Sequence, residues 1–385
     1  MESPTICAPS NEPVYASERL INFRTRGHLL LQKHSTQLVV AFIGDSWVRG
    51  AGWPSHGDPE RRRYFMPELS AALQDIYGDA GGGWCGFGDT NSTTRRGGSA
   101  NPDRLYQEGT GSWTTQRNNR PVPDICTSRS ETPGDSIRVN NVRGPTSQVT
   151  LFFIPGGSIE YRWNDGPWRL LALSRSSVQS KHFEHVEVTT AVLTGFPQQD
   201  GWTLDIRIVS GPVELAGIEH RNNQSGIRLH NLGSGGSTAR DWCAVASPGW
   251  RSALETLGLH TALLLFGTND QKRGSPEEHR QSLADMVNSL RMVMPGVDIA
   301  VATPPESGDV TPPRPQRPMR LYRDQARALA AELALCHIDL QPVFGDVDKY
   351  RYGGTCALLN DSLIHPSKEG SHLIASFYQS LLDLR

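Results

Sequence analysis

Residues 38–51 read LVVAFIGDSWVRGA. The run Leu38 to Ile43 is apolar, β-rich and uncharged, the composition of a central strand covered on both faces. It ends in Gly44-Asp45-Ser46, and another glycine follows at Gly50. A serine just past the C-terminal end of such a strand stands where open α/β sheets place their ligands. A strand, an Asp-Ser turn and a helix start also recur with no chemistry attached. The rest of the chain decides between these.

At 385 residues the chain has room for one large domain or two ordinary ones. A formal net charge of −2 and a charged fraction of 20% create no global field for nucleic acid or an anionic membrane. Arg61-Arg62-Arg63 is the tight basic run, and it reads as a solvated approach to a helix. No segment approaches the roughly 20 apolar residues of a membrane-spanning helix. The N-terminal MESPTICAPSNEPVYASERL shows neither a basic start nor an apolar stretch, so no secretory signal is expected. The location reads as cytoplasmic, or as reached by another route, such as that of a phage component or of a chain parted from its leader. Cys7, Cys85, Cys126, Cys243, Cys336 and Cys356 are widely spaced without a CxxC pair, as dispersed thiols of a reducing compartment are. No metal or cofactor is indicated.

Two textures alternate along the chain. FMPELSAALQDIYG carries apolar residues at helical spacing after the opening strand. From about 250 onward come the strand TALLLFGTND, the capped helix SPEEHRQSLADMVNSLRMVMPG, the strand VDIAVATPP, a helix near QRPMRLYRDQARALAAELAL, then CHIDLQPVF and a terminal helix from about Ser367. Strands alternating with helices mean a parallel sheet with helices on its faces. Residues 87–130 are rich in Gly, Ser, Thr, Asn and Arg. Short alternating runs follow: DSIRVNNV, QVTLFFI, SIEYRWN, PWRLLAL, HVEVTTAVL, TLDIRIV and VELAGIEH. Regular short strands with turn signals predict an antiparallel sandwich. The expected organisation is a discontinuous α/β domain, 37–86 and 228–385, holding an inserted β-rich domain, 87–227, after an N-terminal extension, 1–36.

Three further pieces bear on Ser46. HNLGSGGSTARDW, residues 230–242, has glycines that let main-chain N–H groups face a substrate oxygen. FGTND places Asn269 just beyond a second strand, where its amide can donate to a developing oxyanion or simply hold a turn. NDSLIHPSKEG places His365 before a helix-starting proline on a loop at a sheet end.

Taken in this order, Ser46, the glycine of GSGGST, Asn269 of GTND and His365 of the terminal HP resemble, block for block, the SGNH (GDSL-type) hydrolase family. The resemblance covers 37–86 and about 228–385, and it implies a flavodoxin-like three-layer α/β fold and ester hydrolysis. It implies Ser46 as nucleophile, His365 as base, and an oxyanion hole of the Ser46 N–H, the Gly236 N–H and the Asn269 amide, with Gly235 the other candidate glycine. The family's last block usually carries Asp three residues before the His; that position is Ser362 here, and the acid is at Asp361. Either the loop holds one extra residue and Asp361 still reaches His365, or the site is a Ser-His dyad. Asp45 and Asp270 read as turn-holding residues.

LQDIYGDAGGGWCGF and GIRLHNLGSGGSTARDW are similar to segments of the peptidoglycan O-acetylesterase branch, which carries a β-sandwich between its first and second blocks. The same layout resembles esterases of phage tails and other polysaccharide deacetylases. The expected substrate is therefore an acylated glycan, with the insertion as a platform for polymer and Trp113, Trp163, Trp168 and Trp202 as residues to test for sugar stacking or core packing. As a separable platform, the insertion would leave small-ester turnover intact when removed. A general small-acyl esterase or lipase, acyl transfer to a glycan, and a non-catalytic glycan-binding module on this fold are the alternatives; no nucleic-acid or membrane partner is expected.

Overall fold

The computed structural model describes residues 12–50, 64–88, 99–174, 187–307, 317–345, 358–360 and 363–385. Arg61-Arg62-Arg63, Cys7, Cys356, Asp361 and Ser362 lie outside the described residues. The chain opens with β1 (Val14–Tyr15), α1 (Ile21–Leu31), β2 (Gln37–Gly44), α2 (Ser46–Arg49) and α3 (Phe65–Tyr77). A run of strands follows: β3 (Gly83–Gly86), β4 (Leu105–Thr110), β5 (Thr114–Arg117), β6 (Cys126–Ser130), β7 (Ser136–Asn141), β8 (Gln148–Ile154), β9 (Ser158–Trp163), β10 (Arg169–Ala172), β11 (Thr189–Leu193), β12 (Trp202–Ser210) and β13 (Val213–Arg221). The chain then alternates again: β14 (Gly226–Gly233), α4 (Ala239–Val245), α5 (Pro248–Leu257), β15 (Thr261–Leu265), α6 (Asp270–Arg273) and α7 (Pro276–Val293). It ends with β16 (Asp298–Thr303), α8 (Met319–Glu332), β17 (Cys336–Asp339), α9 (Gln341–Phe344) and α10 (Lys368–Leu382).

The central sheet has the order β1-β17-β16-β15-β2-β14. The last five of these are mutually parallel, and β1 closes the β17 edge antiparallel. Taking the parallel strands in chain order, the arrangement is 2-1-3-4-5, the flavodoxin-like winding. Its switch point lies between β2 and β15, so the crevice for a ligand opens beyond their C-terminal ends.

The apolar run of β2 explains the three layers. Val39, Ala41 and Ile43 join one buried cluster with Trp242, Trp250, Leu283, Met286 and Ala326 from α4, α5, α7 and α8. Leu38, Val40 and Phe42 join the other, with Phe23, Phe65, Leu69, Ile374 and Tyr378 from α1, α3 and α10. Alternate side chains of one strand thus bury against opposite helix layers, which is why this strand has no polar face. The helix expectations fall on α3, α7, α8 and α10. Residues 14–31 are more than an extension: β1 pairs in the sheet, and Phe23 and Leu30 of α1 are buried in its core. Among the described residues no helix is long and apolar enough to cross a membrane.

The strands between Gly83 and Arg221 form two antiparallel sheets, β10-β9-β12-β7-β4 and β11-β8-β13-β6-β5, with β3 also paired to β13. Ile137, Val139, Leu151, Phe153, Leu204, Ile206 and Leu215 fill the space between them. The second sheet is covered on its other side as well. Phe152, Trp84, Val122, Ile125 and Ala216 belong to the same apolar cluster as α4, α5 and α7 of the α/β layer. The pair Phe152-Phe153 therefore divides between two cores, one within the sandwich and one beneath it. β4, β5 and β6 occupy the polar stretch whose composition carries no strand signal. In β6, Thr127, Ser128 and Ser130 are buried because their hydroxyls donate to Glu214, the Phe87 carbonyl and Asp135.

Candidate active site

Ser46 begins α2 immediately after β2, with Asp45 as its N-cap. The Asp45 Oδ1 accepts from the Trp47 N–H at 2.9 Å. Helix formation leaves the first N–H groups of α2 without an intrahelical acceptor, so the Ser46 N–H is not consumed by the helix itself. Gly44 is needed for closeness: a Cβ there would lie 2.5 Å from the Leu265 carbonyl oxygen and 2.6 Å from Val48 Cγ2. β2, β15 and α2 converge at that point.

His365 arrives from the loop before α10. Its Nε2 lies 2.8 Å from Ser46 Oγ, a pairing across 319 residues of sequence. The loop is pinned at its base, where the Asn360 N–H donates to the His365 carbonyl at 2.9 Å and Leu359 bridges Pro366. Burial pushes the His365 imidazole down to about 4, and the Lys272 charge adds to the shift. The ring is therefore neutral near pH 7, with a lone pair available to take the serine proton.

Beyond β14 the chain turns at Ser234–Ser237, closed by the Ser237 N–H donating to the Ser234 carbonyl at 3.3 Å. Gly236, at the third position, has φ +76°, which a type II turn requires and which favours glycine. The two central N–H groups of such a turn take no part in closing it. Beyond β15, the Asn269 Nδ2 donates to the Ser237 carbonyl at 2.9 Å and to Asp45 Oδ2 at 3.3 Å. The three strand ends that meet at the switch point thus present Ser46, the Gly235–Gly236 turn and Asn269 together.

Burial pushes the Asp45 carboxyl up to about 8; the Trp47 N–H pulls the other way and the Asp270 charge adds to the rise. Near neutral pH Asp45 is thus largely protonated and sets little negative charge beside Ser46. Asp270 ties the second and third blocks together, its Oδ1 accepting from the Ala239 N–H at 3.2 Å and from His279 Nδ1 at 2.9 Å. Both aspartates hold their turns, as their positions after strands predict.

A family model described as GDSL-like lipase/acylhydrolase matches residues 215–373. The chain carries a GDSL-type (SGNH) hydrolase domain. A solved structure titled "Peptidoglycan O-acetylesterase in action" superposes with a TM-score of 0.68 at 18% identity, covering 96% of this chain and 98% of that one. At that identity the likeness concerns the fold, an SGNH hydrolase fold with a β-sandwich inserted in it. A mutant of Axe2, an acetyl-xylooligosaccharide esterase from Geobacillus Stearmophilus, aligns over 42% of this chain and 74% of its own at 24% identity and a TM-score of 0.33. No curated protein matches the sequence.

This GDSL-type serine hydrolase is an acylhydrolase, an esterase by class. Of the tryptophans of its sandwich, Trp113, Trp163 and Trp202 are buried core residues. Trp168 is half-buried, with the guanidinium groups of Arg162 and Arg207 over its ring at 4.6 and 4.0 Å. Sequence reasoning missed several residues that touch the site's turns. Arg273 Nη2 donates to the Gly236 carbonyl at 3.0 Å, and Arg49 Nη1 donates to the Gly233 carbonyl at 3.0 Å and pairs with buried Asp124 at 3.8 Å. Asn118 reaches the Ser234–Ser237 turn from between β5 and β6. Arg49 lies inside the opening block without a signal of its own, and Asn118 and Arg273 lie outside the quoted blocks, so only the fold brings their contacts into view.

Proposed function

We propose that this hydrolase removes small acyl groups, O-acetyl above all, from hydroxyls of a carbohydrate polymer such as peptidoglycan or a surface polysaccharide. The observation that carries the reading is the 2.8 Å contact of His365 Nε2 with Ser46 Oγ at the switch point of the sheet. Ser46 Oγ attacks the ester carbonyl carbon as its proton passes to His365 Nε2. The carbonyl oxygen becomes an oxyanion that accepts from the Ser46 N–H, the Gly236 N–H and the Asn269 amide. Collapse breaks the bond to the sugar oxygen, which leaves with the proton from His365. A water, deprotonated by His365, then attacks the acyl-Ser46 ester and releases acetate, restoring Ser46 Oγ–H.

Asp361 completes the triad in this reading. It follows Asn360, whose N–H binds the His365 carbonyl, so the chain at that point is tied to the histidine backbone. The glycan assignment draws on the fold shared with the peptidoglycan O-acetylesterase across nearly the whole chain, insertion included. A polymer needs an extended surface to place one acetyl group, and the sandwich offers one beside the site.

The test is acetate release from O-acetylated peptidoglycan and from other O-acetylated polysaccharides, with p-nitrophenyl acetate alongside and Ser46→Ala as blank. Acetate from a polymer, absent with Ser46→Ala, is expected. Hydrolysis of p-nitrophenyl acetate with no acetate from any polymer would overturn the glycan assignment and leave a small-ester hydrolase.

A further inference from the structure

Two side chains of the β insertion reach the turn beyond β14: Cys126, whose Sγ lies 3.0 Å from Ser234 Oγ, and Asn118, which also reaches the turn's central peptide. Asn118 has φ +61°, in the left-handed region that asparagine tolerates better than most residues. Its Oδ1 accepts from Ser234 Oγ at 2.5 Å, and its Nδ2 donates to the Gly235 carbonyl at 3.4 Å. Ser234 is itself buried, with its N–H on the Gly44 carbonyl at 2.9 Å and its carbonyl accepting from Ser237 Oγ at 2.8 Å. One amide thus grips the turn at its first residue and at its central peptide.

The Gly235 carbonyl and the Gly236 N–H belong to a single planar trans peptide and point in opposite directions. In β-turns this central peptide has two common orientations, related by a flip of the plane, and glycine at the third position opposes neither. A donor on the Gly235 carbonyl selects one of them and so sets where the Gly236 N–H points. We infer that Asn118 is a positioning residue for ester hydrolysis, contributed by the β insertion, which orients the Gly236 N–H toward the oxyanion. The inference rests on the reading of Ser46 as nucleophile and Gly236 as an oxyanion donor. It gives the insertion a part in the chemical step, separate from any part in holding polymer.

Hydrolysis of p-nitrophenyl acetate and thermal unfolding of the full chain, compared across wild type, Asn118→Gly, Asn118→Asp and Ser46→Ala, test it. Asn118→Gly keeps the left-handed backbone and removes both side-chain bonds. Asn118→Asp keeps shape and the Oδ1 acceptor but turns an oxygen toward the Gly235 carbonyl, which favours the flipped peptide. Both are expected to lower kcat by about tenfold to a hundredfold, as a misdirected oxyanion donor does. KM is expected to stay within about twofold, because ground-state binding does not use the oxyanion contact. Near-wild-type kcat in the near-isosteric Asn118→Asp would overturn the inference, as would a loss that appears in KM or in the unfolding temperature in place of kcat. Activity surviving in Ser46→Ala would instead overturn the nucleophile reading beneath it.

Discussion

Asn269 Nδ2 donates to the Ser237 carbonyl at 2.9 Å, tying the residue beyond β15 to the turn beyond β14. The same nitrogen contacts Asp45 Oδ2 at 3.3 Å, just before Ser46. One amide therefore spans all three strand ends at the switch point. Both of its N–H bonds have acceptors on other loops, so in the proposed mechanism it meets a forming charge by giving up the longer contact, to Asp45.

Asn269→Ala is expected to lower kcat about 10²–10³-fold while KM changes little, since the amide serves the transition state more than bound ester. Steady-state kinetics on p-nitrophenyl acetate decide this. Unchanged turnover would take Asn269 out of the oxyanion hole and leave it a tie between loops.

The pH profile follows from His365. In the proposed mechanism its neutral form is the base, and its protonated form cannot take the serine proton. Burial first, and Lys272 second, lower its pKa from 6.5 to about 4. Activity is therefore expected to be flat in kcat/KM through neutral pH and to fall only as pH drops through about 4. Lys272→Met removes the cation that disfavours imidazolium, so its acid limb moves to higher pH but stays below the ordinary histidine value, because burial remains. A limb near pH 6.5 in the wild type would show that the imidazole is solvated in the free enzyme.

Asp361→Asn tests the displaced acid. If Asp361 orients the imidazole, the substitution leaves shape and removes charge, and kcat is expected to fall at least about 100-fold, as triads respond to loss of the carboxylate. Ser362→Ala, at the family's usual acid position, is expected to leave kcat near wild type. The reverse pattern would move the orienting role to Ser362, and two silent substitutions would establish a dyad.

The side chains that meet at the switch point are legible because they sit in blocks. Ser46, Asn269 and His365 each follow a strand or precede a helix with its own punctuation, so neighbouring residues mark their place. Asn118 has no such frame; its partner Ser234 is 116 residues away, and nothing local distinguishes it from any loop asparagine. β6 was illegible for another reason. Its buried polar residues, Thr127 on one face and Ser128 and Ser130 on the other, are inside because their hydroxyls are satisfied, and periodicity of apolar residues has nothing to register there. The tryptophans are open in another sense: Trp113, Trp163 and Trp202 have the chemistry to stack on sugars, core packing is the commoner role in a sandwich, and all three are buried.

The same limit governs what the insertion does. QVTLFFI reads as one of the short strands of a sandwich, and sequence does not say that its second face is buried as well. Phe152 lies 5.1 Å from Trp84, edge to face, in the cluster that continues into Trp242, Trp250 and Leu254 of the α/β layer. A separable platform would allow its removal with small-ester turnover intact. The shared core argues otherwise, since excising 87–227 strips Val122, Ile125, Phe152 and Ala216 from that cluster. Phe152→Ala is expected to cost about 3–5 kcal/mol of unfolding free energy, measured in denaturant, as deletion of a buried phenyl ring does. The excised chain is expected to lose p-nitrophenyl acetate hydrolysis together with its cooperative unfolding transition. A stable, active remnant would instead make the sandwich an accessory to a self-sufficient hydrolase, and would remove Asn118 from the chemistry with it.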